Sequence, residues 1–316
     1  MIYNLRHRTT YAYRAEVTFA RCVLRLTPRS DAAQTLLQHQ VMVTPTPSNR
    51  SERMGPFGEG VLTVVIDTPH RELVIEATSK VDVHARPLPA PGDSLPWETV
   101  RTLSFDSAGL TPDDPAPYLY PTARTPLTPA ITDYARASFG PARPIAEAAA
   151  ELMTRMHTDF IYDSEATTVS TPAAKAFEGR RGVCQDFAHV MISGLRGLGL
   201  PAAYVSGYLR TIPPPGKPRL AGADATHAWA ALWCGPDAGW IGFDPTNAVI
   251  VQNDHIVLAV GRDYSDVAPI DGILLAPGEQ TLKVEVDVVP EGEPGGVPPA
   301  APAPPRGSRS SALLGS

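Results

Sequence analysis

The run Arg181-Gly182-Val183-Cys184-Gln185-Asp186-Phe187-Ala188-His189 constrains this chain more than any other stretch, because it sets a cysteine at the mouth of a helix. Gly182 permits a tight turn. Beyond Cys184, apolar residues fall at Phe187, Met191, Leu195 and Leu198, the spacing of one helix face. Gly197 and Gly199-Leu200-Pro201 stop that helix and open a new strand. Cys184 then sits near the first helical turn, where unpaired N–H groups and the helix dipole favour a thiolate. The thiolate is the form in which a cysteine attacks.

With 316 residues and 43% hydrophobic content, the chain has enough apolar surface for a large core or two domains. A net charge of −6 gives no basic field, so neither nucleic acid nor an anionic membrane is an expected partner. Cys22, Cys184 and Cys234 are too few, and odd in number, for a disulfide framework; they predict a reducing, cytoplasmic setting. Met1 to His7 reads as a strand rather than a signal segment. No stretch of about 18 apolar residues predicts a membrane span.

Residues 1–88 read as β structure. Tyr3, Leu5 and His7 alternate with polar neighbours, as do Cys22, Leu24 and Leu26. Thr27-Pro28, Pro45-Thr46-Pro47 and Gly58-Glu59-Gly60 break the runs at short intervals, which predicts an antiparallel β-sandwich. Residues 89–127 are proline-rich and read as an extended connector, with one short helix near Leu95 to Leu103. A second domain, 128–289, begins at Thr128-Pro129, a cap followed by a first-turn proline. Ile145, Ala148, Ala149, Leu152, Met153 and Met156 mark an amphipathic helix, and a shorter one covers Pro172 to Glu178. Strands follow at Ala202–Tyr208, Thr226–Trp233, Trp240–Phe243, Ile256–Val260 and Leu282–Val288. The proline-rich loop from Thr211 to Ala225 leads into His227 and is a candidate rim of the site. Residues 290–316 have a tail composition and are expected to be disordered. The fold class is therefore α+β.

A cysteine nucleophile needs a base, and the base needs an orienting group. His227 begins one strand and Asp244 ends the next, with Cys234-Gly235-Pro236-Asp237 between them. If those four residues form the hairpin loop, His227 and Asp244 face each other directly, with Cβ atoms about 5 Å apart. The carboxylate would fix the imidazole tautomer and stabilise the cation formed when His227 takes the thiol proton. A one-residue shift in register would instead turn the two side chains to opposite faces.

Four blocks in order, Gly182–His189, Leu200–Tyr208, Thr226-His227-Ala228-Trp229 and Phe243-Asp244-Pro245-Thr246-Asn247, resemble the bacterial transglutaminase-like family. The stretch from Tyr3 to Pro28-Arg29 resembles the β domain that accompanies it, and Gly261-Arg262-Asp263-Tyr264-Ser265 to Pro269 is typical of its C-terminal part. The resemblance covers residues 1–289. Phe57-Gly58-Glu59-Gly60 departs from the family pattern, where asparagine more often follows the glycine; the departure is expected to affect only the β domain. The resemblance implies a papain-like transglutaminase core behind the N-terminal antiparallel β-sandwich, with Cys184 as nucleophile, His227 as base and Asp244 as orienter. It implies a peptide or protein substrate, a thioester acyl-enzyme and no cofactor. The Cys184 N–H is one candidate oxyanion donor and Tyr162 another.

Other residues read more plainly. Cys22 belongs to the core, and Cys234 is a free thiol at a hairpin tip. His189 lies about 140° around the helix from Cys184, which points to packing or hydrogen bonding. Asp186 complements the helix dipole. Trp229 and Trp233 share the His227 face of their strand, either as core or as walls of an acyl-binding groove. His7, His39, His70, His84, His157 and His255 show no ligand spacing, so no metal site is expected. Three functions are compatible with the residues: a cysteine peptidase or amidase, an acyltransferase to an amine, and a silent scaffold. An intact Cys–His–Asp set argues against the scaffold. Hydrolysis is favoured over transfer because nothing marks an amine channel.

Overall fold

The computed structural model describes residues 1–84, 87–211, 225–275 and 280–292. The first six strands are β1 Ile2–Val17, β2 Phe19–Thr27, β3 Gln34–Thr44, β4 Asn49–Met54, β5 Gly60–Ile66 and β6 His70–Val83. After them come α1 Trp97–Phe105, α2 Pro129–Arg136, α3 Ile145–Asp159, β7 Ile161–Tyr162, α4 Ala173–Gly179, β8 Arg181–Gly182 and α5 Cys184–Gly197. The chain continues through β9 Ala202–Leu209, β10 Ala225–Trp233, β11 Trp240–Asp244, β12 Val249–Ile250 and β13 His255–Gly261. It ends with α6 Tyr264–Val267, β14 Ile270–Leu275 and β15 Gln280–Pro290.

Strict alternation in β1 turns Tyr3, Leu5, His7 and Thr9 inward. Two four-stranded antiparallel sheets, β15-β1-β6-β3 and β14-β2-β5-β4, enclose a core of Leu24, Leu26, Val64, Ile66, Leu73 and Ile75. Cys22 is buried in it, as expected. The sandwich is not confined to residues 1–88. Its edge strands β14 and β15 come from beyond residue 269, within the stretch assigned from sequence to the second domain. β14 pairs with β2 and β15 with β1.

The second unit is a five-stranded antiparallel sheet, β12-β11-β10-β9-β13, with α5 packed across β9 and β10. Buried residues lie on every side of α5, from Phe187 to Arg196, so it is the central helix of the core. Close approach is possible because Gly194 and Gly197 face α2: a Cβ there would lie 2.8 Å from Ala135 Cβ and 2.0 Å from Thr132 Oγ1. The connector is more than a spacer. Trp97 and Val100 of α1 enter the core, and Trp97 Nε1 donates to the Gly140 carbonyl at 2.9 Å. Tyr118 is wholly buried. The buried Arg196 guanidinium ties the wrapping together, donating to the carbonyls of Tyr118, Ala202 and Arg262 and to Thr125 Oγ1.

Sandwich and core share a third apolar cluster: Tyr3, Leu5, Val81, Val286 and Val288 pack with Tyr208, Ile256 and Leu258. The Gly55–Gly60 turn also crosses between them. Glu59 caps it by accepting the Phe57 N–H at 3.0 Å, and Phe57 packs in one cluster with Tyr118, Ala203, Val205 and Trp229. The Glu59 departure therefore reaches the second unit as well as the β domain. Among the described residues no helix is long and apolar enough to cross a membrane. Pro290 ends β15 and the Glu291 N–H bonds the Ile2 carbonyl, so the expected disordered tail does not begin at 290; residues 293–316 and most of the predicted rim loop lie outside the described residues.

Candidate active site

Cys184 is the first residue of α5, as its sequence context predicts, and is half-buried. Its N–H is among those that a helix leaves without an intrahelical acceptor. Asp186, at the third helical position, folds back so that its Oδ2 accepts the Val183 N–H at 2.9 Å and the Thr167 hydroxyl at 2.6 Å. The carboxylate is thus the cap that shapes the turn before Cys184, a larger part than dipole complementarity alone. Gly182 is needed there, since a Cβ would lie 2.5 Å from Asp186 Oδ2. Burial pushes the Asp186 carboxyl up, against the hydrogen bonds from Thr167 and Val183. Gln185 Nε2 donates to the Val169 carbonyl at 3.0 Å and pins the 163–172 loop to the helix start.

Asp244 and His227 meet, but not through the expected register. Trp233 pairs with Trp240 and Ala230 with Phe243, so the hairpin loop is Cys234–Gly239, six residues rather than four. Its turn is closed by Cys234 N–H to Gly239 O and Gly239 N–H to Gly235 O, both at 2.8 Å. The ladder is displaced by two residues, which keeps both side chains on one face and makes them diagonal neighbours. His227 Nε2 donates to Asp244 Oδ2 at 2.7 Å. The other ring nitrogen is left for Cys184, which interacts with the His227 side chain. Burial alone would lower the His227 pKa; the bonds and charges of Asp244 and Cys184 outweigh it and raise the imidazole to about 9.

Five donors converge on Asp244, which is fully buried. Oδ1 accepts the N–H groups of Thr246 at 2.9 Å and Asn247 at 3.3 Å. Oδ2 accepts His227, Asn247 Nδ2 at 2.7 Å and His255 Nε2 at 3.1 Å. Burial opposes the charge, but the two histidines and Asn247 hold the carboxyl well below its usual range. Sequence reasoning gave no role to Asn247 or His255. Asp-Pro-Thr-Asn is a pattern that folds back on its own aspartate, so Asn247 left a local signal. His255 left none and is not the scattered histidine it was read as. Ligand atoms of His227, Asp244 and His255 lie within 4.8 Å of one another, but both histidines are hydrogen-bonded to a single carboxylate oxygen.

Tyr162 pairs with Gly182 in the two-residue parallel ladder of β7 and β8. It is 58% exposed, and partial burial followed by the nearby Cys184 pushes its hydroxyl pKa up. The hydroxyl therefore stays protonated and can donate a hydrogen bond. Trp229 is 1% exposed, with its ring 5.0 Å from that of His255 and 6.0 Å from that of His227. A groove wall must meet substrate, so Trp229 is a support beneath the imidazoles instead. Trp233 lies at the far end of β10, six residues or about 20 Å from His227, and packs on the main core rather than beside the site. His189 is buried, accepts the Tyr264 N–H at 3.2 Å and lies against Tyr204 with ring centroids 4.9 Å apart, the packing role expected of it. Cys234 is a free thiol, as expected, at the start of the hairpin loop, and is buried in the core.

Comparison with known proteins identifies the family and the fold. Residues 3–82 match the bacterial transglutaminase-like N-terminal region, and residues 132–245 match the transglutaminase-like superfamily. An uncharacterized protein of Mycobacterium tuberculosis is 42% identical over 295 residues, 91% of this chain and 92% of the relative. One from Mycobacterium leprae is 33% identical over 291 residues, 89% and 96% of the two chains. A protein-glutamine gamma-glutamyltransferase of Pseudomonas aeruginosa is 33% identical over 162 residues, 48% of this chain but 23% of that protein. The fold is that of a solved protein from Cytophaga hutchinsonii named as a candidate cysteine protease, with a TM-score of 0.72 at 21% identity, covering 91% of this chain and 90% of that one. With a transglutaminase-like core behind an antiparallel β region, the chain belongs to the bacterial transglutaminase-like family, whose superfamily members are cysteine-dependent enzymes.

Proposed function

We propose that this protein is a cysteine-dependent hydrolase of amide bonds in peptides or proteins, working through a thioester on Cys184. The observation that carries the reading is the buried His227–Asp244 hydrogen bond of 2.7 Å, with Cys184 at a helix N-terminus on the other side of the imidazole. His227 takes the thiol proton, and Asp244 stabilises the resulting cation. The thiolate attacks the substrate carbonyl, and negative charge gathers on its oxygen. Two donors would receive that charge: the Cys184 N–H and the Tyr162 hydroxyl. As the C–N bond breaks, His227 returns the proton to the leaving amine. Water, deprotonated by His227, then attacks the thioester, and the sulfur leaves as thiolate.

An amine in place of that water would make the protein an acyltransferase. The partial match to the Pseudomonas glutamyltransferase supports this second reading. Both chemistries share every step up to the thioester. Incubation with a peptide library, with and without added primary amines, separates them by mass spectrometry. Products that gain water whether or not amine is present support hydrolysis; products that gain the amine support transfer. No change in any peptide, alongside an unreactive Cys184, would remove both readings. The three cysteines are unpaired, which fits action in a reducing cytoplasm.

A further inference from the structure

His255 opens β13, the edge strand of the core sheet, and is 5% exposed. Its Nε2 lies 3.1 Å from Asp244 Oδ2, the same oxygen that His227 uses. Donation to a carboxylate keeps the His255 proton on Nε2. One face of the ring is fixed by Trp229, which meets it edge-on at 5.0 Å. Trp229 reaches that position because the neighbouring strands are bare: a Cβ on Gly207 would lie 2.6 Å from its ring, and one on Gly242 3.2 Å from its Nε1.

The strand that carries His255 is itself held by the N-terminal β domain. An edge strand leaves backbone groups without partners. On β13, Gln34 of β3 takes both free groups of Val257: Gln34 Nε2 donates to the Val257 carbonyl and the Val257 N–H donates to Gln34 Oε1, each at 2.8 Å. The Arg29 N–H donates to the same carbonyl at 3.1 Å. Gln34 is 2% exposed, so the clamp is buried. Beside His255, the Tyr3 hydroxyl of β1 donates to Asp254 Oδ1 at 3.0 Å, and Arg210 pairs with the same carboxylate.

We infer that His255 is a positioning residue for the His227–Asp244 pair, and that the β domain serves the site by fixing the strand on which His255 stands. This rests on the cysteine-nucleophile reading above. Three donors on one oxygen stop the Asp244 carboxylate from turning about its Cβ–Cγ bond, so a lone pair stays on the line to His227. Without His255, Oδ2 keeps only His227 and Asn247, and an imidazole-sized space opens beside it. The charged and titratable groups around the pair are Cys184 from α5, His255 and Asp254 from β13 and its turn, and His157 from α3, whose Nδ1 bonds the Thr246 carbonyl at 2.9 Å. On the other face of β9, His7 pairs with Tyr208 at 2.9 Å.

The test is the pH dependence of Cys184 alkylation by iodoacetamide in the full-length protein, followed by peptide mapping; it needs no substrate. In His255→Leu the acidic midpoint should rise by about half a pH unit or more, because a mobile Asp244 stabilises the imidazolium and its thiolate less well. His255→Gln keeps an N–H near the position of Nε2 and should recover at least half of that shift. Gln34→Ala, which touches no residue of the site, should shift the midpoint in the same direction. A His255→Leu profile that superimposes on the wild type, or a Gln variant as displaced as the Leu variant, would overturn the role of His255. An unchanged Gln34→Ala profile would overturn the role of the β domain. If His255→Leu fails to fold, His255→Ala takes its place in the same comparison with His255→Gln. A wild-type Cys184 that titrates as an unassisted thiol, near about 8.5, would instead remove the nucleophile reading and this inference with it.

Discussion

His227 Nε2 lies 2.7 Å from Asp244 Oδ2 although the two residues are not opposite each other in the β10–β11 ladder. The six-residue loop moves the pairing by an even number of positions, so the faces agree and the contact is diagonal. An odd shift would have placed the imidazole and the carboxylate on opposite sides of the sheet.

Removal of the Cys184 sulfur should abolish turnover and spare the fold. The residue is half-buried and its backbone geometry suits alanine. Cys184→Ala is expected to lose more than about 10⁵-fold in kcat/KM, with an unchanged thermal melt. Retained turnover in a purified, folded variant would end the assignment.

Asp244→Asn should lose less, roughly 10²–10⁴-fold. An amide N–H at the place of Oδ2 would make His227 Nε2 an acceptor and move the proton to the nitrogen facing sulfur, the wrong tautomer for a base. Asp244→Leu is a different experiment. It leaves the buried donors of His227, His255 and Asn247 unpaired and should destabilise the protein by about 3–5 kcal/mol. Urea unfolding together with kcat/KM distinguishes the two effects.

Activity should fall on the alkaline side above about pH 9, where His227 loses its proton and can no longer supply the leaving amine. The raised value depends on Asp244, so in Asp244→Asn this limb should move down toward the ordinary imidazole range near about 6.5. A kcat/KM profile whose alkaline limb is the same in both proteins would contradict the pairing.

Acid should destabilise the fold through histidines remote from the site. His7 and His189 are buried, and burial lowers each to about 4. Between pH 6.5 and 4 the unfolded chain binds protons that the folded chain refuses, so stability falls as pH drops, by about 1.4 kcal/mol per pH unit for each group. His227 has the opposite sign: its contribution is complete below the unfolded value and is lost as pH rises from 6.5 to about 9. The urea midpoint should therefore drop from pH 7 to pH 5, and drop less in His7→Gln. Equal drops would reject the assignment to His7.

Gly207→Ala should disturb the support beneath the imidazoles. The new Cβ would lie 2.1 Å from the Ile256 carbonyl oxygen and 2.6 Å from the Trp229 ring. A loss of about 1–3 kcal/mol is expected, with Trp229 fluorescence shifted. A variant as stable as the wild type would show that the sheet relaxes there freely.

Much of this was legible in the residues. The stripe from Phe187 to Leu198 gave α5, and the alternation of Tyr3, Leu5 and His7 gave β1, because each records one buried face. The hairpin loop was misjudged because Gly235-Pro236-Asp237 signals a turn without fixing its length; Gly239, with φ of 63°, extends it. β14 left no pattern, since Ile273, Leu274 and Leu275 of this edge strand are all exposed. His255 was invisible for a different reason. Its contact with Asp244 depends on the order of strands in the sheet, which no local spacing encodes.

The sandwich draws its first and last strands from opposite ends of the described chain, with the Glu291 N–H donating to the Ile2 carbonyl at 2.8 Å. Residues 97–261, which carry the candidate site, are therefore a guest inside an interrupted host. During synthesis β1 can pair with β6 early, but its second neighbour emerges only after the whole core has been made. The host closes last, after every strand of the core sheet has been made.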